Sequence, residues 1–150
     1  MSQPRACSVA RTLEIIGERW SLLVLREVFL GVRRFDAIHA ATGAPRAVLV
    51  RRLHTLVAAG VLERRGYREE GARAREEYRL TEAGRDLQPV LTALMQWGDR
   101  YLAGPEGPPL HLSHAGCEAP VRARLVCEHG HVLDDNGREL SAEPAAHTAT

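Results

Sequence analysis

The amino-acid sequence predicts a mainly α-helical fold with one small β-hairpin, an α+β arrangement. Apolar residues recur at helical spacing before residue 60 and after residue 81. Between these regions lie two short runs of strand-forming residues around a polar tip. A chain of 150 residues buries one core with room for a small appendage, so we expect one domain and an extension.

The N-terminal region predicts two packed helices. Apolar residues repeat at helical spacing on both sides of a break near Gly17. The residues of the first face are Val9, Leu13, Ile16 and Trp20, and those of the second are Leu22, Leu25, Val28 and Phe29.

A helix-turn-helix follows. Residues 36–41 predict a short helix that carries Ile38 inward, and residues 42–45 supply turn chemistry ending in proline. The second helix is predicted from about Pro45 to Ala59, with Gly60 as its terminator. Its apolar side comprises Val48, Leu49, Leu53, Leu56 and Val57, and its opposite side comprises Arg46, Ala47, Val50, Arg51 and His54.

Residues 61–67 and 75–80 predict a hairpin around the charged tip at 69–72. Thr81 is placed to cap a long final helix over 82–103, in which Pro89 should cause a bend. The apolar stripe of this helix comprises Leu87, Val90, Leu91, Leu94, Trp97, Tyr101 and Leu102.

The distribution of charge along the chain indicates a function for this pattern of elements. Residues 33–79 contain 11 Arg and 6 Asp or Glu, although the whole chain has a net charge of only +1. A helix-turn-helix followed by a positively charged hairpin is the pattern of a winged helix-turn-helix, which reads double-stranded DNA. No apolar run approaches the roughly 18–20 residues that cross a bilayer, and no signal segment begins the chain. We therefore expect a cytoplasmic protein without a membrane partner.

Several motifs in order resemble the HxlR-type winged helix-turn-helix transcriptional regulators over residues 7 to about 103. The resemblance implies a homodimer on a pseudo-palindromic operator, acting as a repressor or activator that responds to electrophiles, oxidants or small metabolites. The motifs are Cys7-Ser8-Val9-Ala10-Arg11-Thr12-Leu13, Gly17-Glu18-Arg19-Trp20-Ser21-Leu22-Leu23, Arg33-Arg34-Phe35, Val48-Leu49-Val50-Arg51-Arg52-Leu53, Ala59-Gly60-Val61-Leu62 and Tyr78-Arg79-Leu80-Thr81-Glu82-Ala83-Gly84.

The predicted organisation has four parts. Residues 7–103 form the winged-helix DNA-binding and dimerisation domain, and residues 104–109, rich in glycine and proline, form a linker. Residues 110–140 form a short Cys/His-containing C-terminal extension, and residues 141–150 form a disordered tail.

The predicted DNA contacts lie on the second helix of the motif and on the wing. Arg46, Ala47, Val50 and Arg51 are the candidates for reading bases, because arginine can bind guanine with two hydrogen bonds. Arg52 and His54 lie nearer the edge, where a phosphate contact and a structural role are both open.

On the wing, Arg73 and Arg75 are placed to reach phosphates or the minor groove. Glu69 and Glu70 oppose this at the tip. For Arg64, Arg65 and Arg68, phosphate contact and a plain surface role are equally open.

The final helix predicts a twofold dimer. Its apolar residues, among them Leu91, Leu94, Trp97 and Tyr101, exceed what a lone terminal helix covers, and the first helix around Leu13 can pack with it. The fold class is thus a winged helix dimeric through its N- and C-terminal helices. The alternative is that the stripe closes the core of the monomer.

Cys7 precedes the first helix. A cysteine at this position in the resembling family implies a redox or electrophile sensor, and a helix start beside Arg5 and Arg11 favours a thiolate. The alternative is a buried structural cysteine.

The extension carries a candidate zinc site. His114, Cys117, Cys127 and His131, with His129 as the alternative fourth ligand, have the short spacings of two zinc-ribbon knuckles. Some members of the resembling family carry glycine after the first knuckle and a second cysteine in the other, and this chain departs from both. A structural zinc ion, a metal-free hairpin with buried thiols and a Cys117–Cys127 redox pair remain open.

Enzymatic function is not expected. The Cys/His cluster lacks an accompanying acid, an oxyanion donor or a phosphate-binding loop. The other function class left open is a winged-helix protein-interaction module without sequence-specific DNA binding.

Overall fold

The computed structural model of the chain describes residues 7–68, 70–71, 73–134 and 137–143. Six helices and one hairpin are present in this part of the chain. In order they are α1 (Ser8–Ile16), α2 (Arg19–Phe29), α3 (Phe35–Thr42), α4 (Arg46–Ala58), β1 (Leu62–Tyr67), β2 (Arg75–Leu80), α5 (Glu82–Arg85) and α6 (Gln88–Tyr101).

The core forms where α2, α3 and α4 pack together. Leu25, Ile38, Leu49 and Leu56 are each 0% exposed, and Leu53 is 1% exposed. Burying each such side chain contributes about 1.5–3 kcal/mol. The predicted inward placement of Ile38 and the predicted apolar side of α4 are confirmed.

The turn between α3 and α4 sets the direction of α4. Gly43 ends α3 with φ of +66°, a left-handed conformation that glycine adopts without a steric penalty. Ala44 is buried, and Pro45 precedes the first residue of α4. The predicted helix from Pro45 to Ala59 is therefore confirmed to within one residue at each end.

The predicted hairpin is also confirmed. β1 and β2 pair in antiparallel register, with Leu62 opposite Leu80 at the base and Tyr67 opposite Arg75 near the tip. The segment before α3 joins the hairpin, because the backbone N–H of Tyr78 donates to the Arg33 carbonyl at 2.8 Å. The wing is thus fastened to the start of the helix-turn-helix.

The base of the hairpin is closed by Thr81. Its backbone N–H donates to the Val61 carbonyl at 3.2 Å, and its hydroxyl donates to the Gly60 carbonyl at 2.5 Å. The same hydroxyl accepts a bond from the N–H of Gly84 at 3.1 Å, so Thr81 caps α5 as predicted.

The single long helix predicted over 82–103 is wrong. The structure has two helices, because α5 ends at Arg85 and α6 begins at Gln88. Pro89 lies in the first turn of α6, where its missing N–H leaves no helical hydrogen bond unmade. The proline therefore begins a new helix instead of bending a continuous one.

The chain divides into two compact units, one up to Leu91 and one from Thr92. In the second unit the extension forms two tight turns closed by isolated bridges, Ser113 with Pro120 and Val126 with Val132. The predicted limits of the winged domain, linker and extension stay predictions. Residues 144–150 of the predicted disordered tail lie outside the described residues. Among the helices of the described part, none is long and apolar enough to cross a membrane.

Candidate nucleic-acid interface

The exposed face of α4 has the composition predicted for it. Arg46, Ala47, Val50, Arg51 and His54 are all exposed to solvent. Val50 is 52% exposed, which leaves it available to contact a thymine methyl group. This face is where the candidates for base reading come together.

Arg46 is held in place by α3. Its guanidinium carbon lies 4.6 Å from the centre of the Phe35 ring, and its Nη1 lies 3.5 Å from Oδ1 of Asp36. The side chain is nevertheless 67% exposed. Phe35 and Asp36 therefore hold the Arg46 guanidinium in place at the N-terminal end of α4 and leave it exposed to solvent. The sequence did not reveal this support, because the contact depends on the turn between the two helices.

Arg51 and Arg52 are neighbours with different surroundings. The Arg51 side chain is exposed and has no hydrogen bond or ion pair with any described residue. The Arg52 side chain is only 21% exposed, and its Nη1 lies 4.0 Å from Oε1 of Glu18. Its Nε is buried without a hydrogen-bond partner within the described residues. This geometry favours DNA contact for Arg51 and the salt-bridged alternative for Arg52.

Three arginines of the hairpin form ion pairs. Arg64 lies 3.6 Å from Glu76, Arg65 lies 2.8 Å from Glu63, and Arg79 pairs with Glu77. The Arg64–Glu76 and Arg65–Glu63 pairs are exposed and contribute little stability, and all three pairs reduce the charge available to DNA.

Arg73 and Arg75 are exposed, and neither side chain has a partner among the residues that the structure describes. They are the two wing arginines predicted to contact DNA. Glu70 is exposed near them, whereas Glu69 lies outside the described residues.

A cavity of about 310 Å³ lies between α4 and the hairpin and was not predicted from the sequence. Arg46, His54 and Arg64 line it together with apolar side chains that include Val50. Tyr78 also lines it, and burial raises the pKa of the Tyr78 hydroxyl above its ordinary value, while the charge of Arg64 opposes this shift. His54 and two arginines thus line one cleft between the two predicted DNA-contacting elements.

Several exposed apolar side chains lie on α6 and α1. On α6, Leu94 is 52%, Trp97 is 58% and Tyr101 is 59% exposed. On α1, Val9 and Leu13 are exposed, whereas Ile16 is buried in the core. Leu91 packs partly buried against the core. The predicted stripe on the last helix is therefore divided, and its C-terminal part does not close the core of the monomer.

Cys7 is the residue immediately before α1. Its carbonyl accepts a hydrogen bond from the N–H of Arg11 at 3.2 Å, and its side chain makes no capping bond. The thiol is free and exposed, which contradicts the alternative of a buried structural cysteine. Arg5, the second predicted basic neighbour, lies outside the described residues.

The predicted zinc ligands are only partly brought together. His114 Nδ1 lies 3.2 Å from Cys117 Sγ, and the N–H of Glu118 donates to the His114 carbonyl at 2.7 Å. In the second turn, the N–H of Cys127 donates to the His131 carbonyl at 3.0 Å. The His129 and His131 rings lie 6.5 Å apart, centre to centre.

No group of three or more potential ligands forms a metal-binding cluster within the described residues. Two ligands do not make the tetrahedral site that structural zinc requires. Both cysteines are free and exposed, so the alternative of buried thiols is wrong. The zinc site and the Cys117–Cys127 pair stay predictions, and metal analysis of the purified protein tests the first.

Comparison with known proteins identifies the family that this chain resembles. The HxlR-like helix-turn-helix profile matches residues 15–105. A relative from Mycobacterium tuberculosis, the HTH-type transcriptional regulator Rv3095, is 52% identical over 122 residues, which cover 81% of this chain and 76% of that protein.

Two solved structures are similar. PA1607, described as a candidate transcription factor, is 32% identical with a TM-score of 0.78 and covers 93% of this chain and 96% of its own. The redox regulator HypR in its oxidised form is 28% identical with a TM-score of 0.55 and covers 63% of this chain and 96% of its own. HypR therefore has no counterpart for more than a third of this chain, whereas PA1607 matches nearly all of it.

The family and these relatives are transcriptional regulators, not enzymes. The fold agrees with them, since α3 and α4 form the helix-turn-helix and β1 and β2 form the wing. The chain belongs to the HxlR-like helix-turn-helix family of DNA-binding transcriptional regulators.

Proposed function

We propose that this regulator is a homodimer that binds a pseudo-palindromic operator, represses transcription and responds to a redox signal, an electrophile or a small ligand. The observation that carries the proposal is the exposed Arg51, which has no side-chain partner among the described residues and lies on a helix whose other side forms the core. A guanidinium presented in this way suits a guanine edge in the major groove. Arg46, Ala47 and Val50 share its face.

The wing supplies contacts of another kind. Arg73 and Arg75 carry charges without partners in the described part of the chain, and such charges suit phosphates or the narrow minor groove. Phosphate contacts fix the position of a protein on the duplex, whereas base contacts select the sequence. We therefore assign selection to α4 and positioning to the wing.

The dimer is proposed from uncovered apolar surface. Leu94, Trp97 and Tyr101 on α6 are more than half exposed, as are Val9 and Leu13 on α1. Apolar surface of this kind marks an interaction site, and a twofold dimer matches the symmetry of an operator with two half-sites.

The redox response is proposed for Cys7. Its thiol is exposed at the start of α1, where the helix dipole attracts negative charge. HypR, which resembles this chain in fold, is described as a redox regulator. Modification of Cys7 would displace α1, one of the two helices assigned to the dimer.

Selection of binding sites from random duplexes tests the proposal. The full-length protein should enrich an inverted repeat with half-sites about one helical turn apart. In a cell-free transcription assay, a promoter carrying this repeat should be transcribed less when the protein is present. Enrichment of single half-sites would contradict the dimer, and increased transcription would make the protein an activator.

A further inference from the structure

A large groove lies within the second compact unit. It has a volume of about 870 Å³ and is formed by the C-terminal half of α6 and two segments of the extension, residues 108–113 and 118–124. Small-molecule sites in proteins occupy about 300–1,000 Å³. The groove has the size of a ligand site.

The walls of the groove are held together by Gln96 of α6. Its Nε2 donates to the Val121 carbonyl at 2.8 Å, and its Oε1 accepts from the N–H of Ala123 at 2.8 Å. The two segments of the extension are also tied to each other, because the N–H of Val121 donates to the Leu112 carbonyl at 2.9 Å. The groove is therefore formed before a ligand arrives, which lowers the entropic cost of binding.

The side chains in the groove indicate the class of ligand. Trp97 and Tyr101 lie with ring centres 5.3 Å apart and offer an aromatic surface. Arg100 stacks on Tyr101 at 5.2 Å, and Arg122 is exposed without an ion-pair partner among the described residues. Apart from Tyr101 and His111, the titratable groups lining the groove are Arg100, Arg122, Arg124, Asp99 and Glu118, so its formal charge is positive.

We propose that this groove binds a small planar aromatic anion, with its ring against Trp97 and Tyr101 and its negative group at Arg100 and Arg122. Arginine recognises a carboxylate or sulfonate through charge-assisted hydrogen bonds, and an aromatic ring stacks on aromatic side chains. The ligand would lie against α6, where it would compete with the second protomer of the proposed dimer for Trp97 and Tyr101. Its role as an effector rests on the proposed function, since α6 is assigned to the dimer, whereas the binding site itself does not.

Titration of the full-length protein with two fluorescent probes tests the site. The probes are 8-anilinonaphthalene-1-sulfonate, which is anionic, and N-phenyl-1-naphthylamine, which has the same rings without the charge. We expect the anionic probe to bind at least about tenfold more tightly, since a hydrogen bond to a charged group is stronger than a neutral one. Arg122→Ser should weaken this preference severalfold, because only Arg100 of the two proposed partners remains, and should leave the affinity for the neutral probe unchanged. Equal binding of the two probes by the unaltered protein would overturn the proposal.

A matched control is available on the extension. Arg138 does not line the groove, so Arg138→Ser should retain the preference for the anionic probe. An equal loss in both variants would mean that general charge, and not the groove, attracts the probe, and would overturn the proposal. Benzoate should displace the anionic probe at concentrations at which benzyl alcohol does not, and displacement by both or by neither would also contradict it.

Gel-shift assays on the same variants separate this inference from the proposed function. Arg122→Ser should bind DNA as the unaltered protein does, because the residue is not on α4 or the wing. A protein that binds DNA but shows no preference between the probes refutes only the ligand site. A protein that shows the preference but does not select an operator refutes only the proposed function.

Discussion

Gly84 in α5 lies directly against the backbone carbonyl of Val61. A Cβ atom added at Gly84 would be 2.2 Å from the Val61 oxygen and 3.1 Å from Cδ2 of Leu80. The first distance is too short for any real contact, and the atom in the way is backbone. The close approach of α5 to the start of the hairpin therefore requires glycine.

Gly84→Ala should lower the free energy of unfolding by about 1–3 kcal/mol, the usual cost of overpacking a filled site. Gly66→Ala is the matched control, because a Cβ at Gly66 meets no atom within 4 Å. That variant should change stability by less than about 0.5 kcal/mol. Urea denaturation monitored by circular dichroism measures both, and equal stabilities would contradict the close approach.

Arg51→Ala should reduce binding to the selected operator more than binding to random duplex. A base-reading arginine contributes about 1–3 kcal/mol of discrimination, which is lost with the side chain. Arg75→Ala is the control, since loss of a phosphate contact should weaken binding to both duplexes alike. Gel-shift titrations at fixed salt give the two ratios. Equal losses for Arg51→Ala on both duplexes would remove it from the base-reading set.

Trp97→Asp should produce monomers that no longer bind the operator. A carboxylate placed in an apolar interface is strongly disfavoured, because it loses its hydration without gaining a partner. Leu30→Asp is the control, since Leu30 is 50% exposed but lies on neither α1 nor α6. Light scattering gives the mass of each variant. A dimeric Trp97→Asp would place the interface elsewhere.

Cys7→Ser should bind DNA normally and no longer respond to diamide. In the unaltered protein, oxidation at the start of α1 should change the spacing of the two recognition helices, which must match half-sites about one turn apart. The double variant Cys117→Ser/Cys127→Ser should keep its response. If instead the double variant loses the response and Cys7→Ser keeps it, the signal is received by the extension.

The helix-turn-helix and the wing could be predicted from the sequence because their signals are local. The apolar period of residues 45–59, the proline before it and the glycine after it define α4 almost completely. The hairpin followed from two strand-forming runs around a polar tip. These patterns depend only on residues that are close together in the sequence, so the elements they predict are the ones found in the structure.

The errors arose where the outcome depends on distant residues. Pro89 is compatible with both a bent helix and a new helix, and the choice depends on how α5 packs against the hairpin. Arg52 and Arg51 are adjacent on α4, yet only Arg52 meets Glu18, which precedes α2. The groove beside Gln96 joins segments about 25 residues apart. None of these contacts has a signal in a single sequence.

Because Thr81 closes the base of the hairpin, the wing projects from the domain as a loop whose two ends lie close together. Because Thr81 returns to Gly60 and Val61, the chain leaves α4 and enters α5 at nearly the same point. Residues added at the tip would then extend the reach of the wing along the duplex without moving either helix. The length of the wing can therefore change in evolution independently of the helix that selects the sequence.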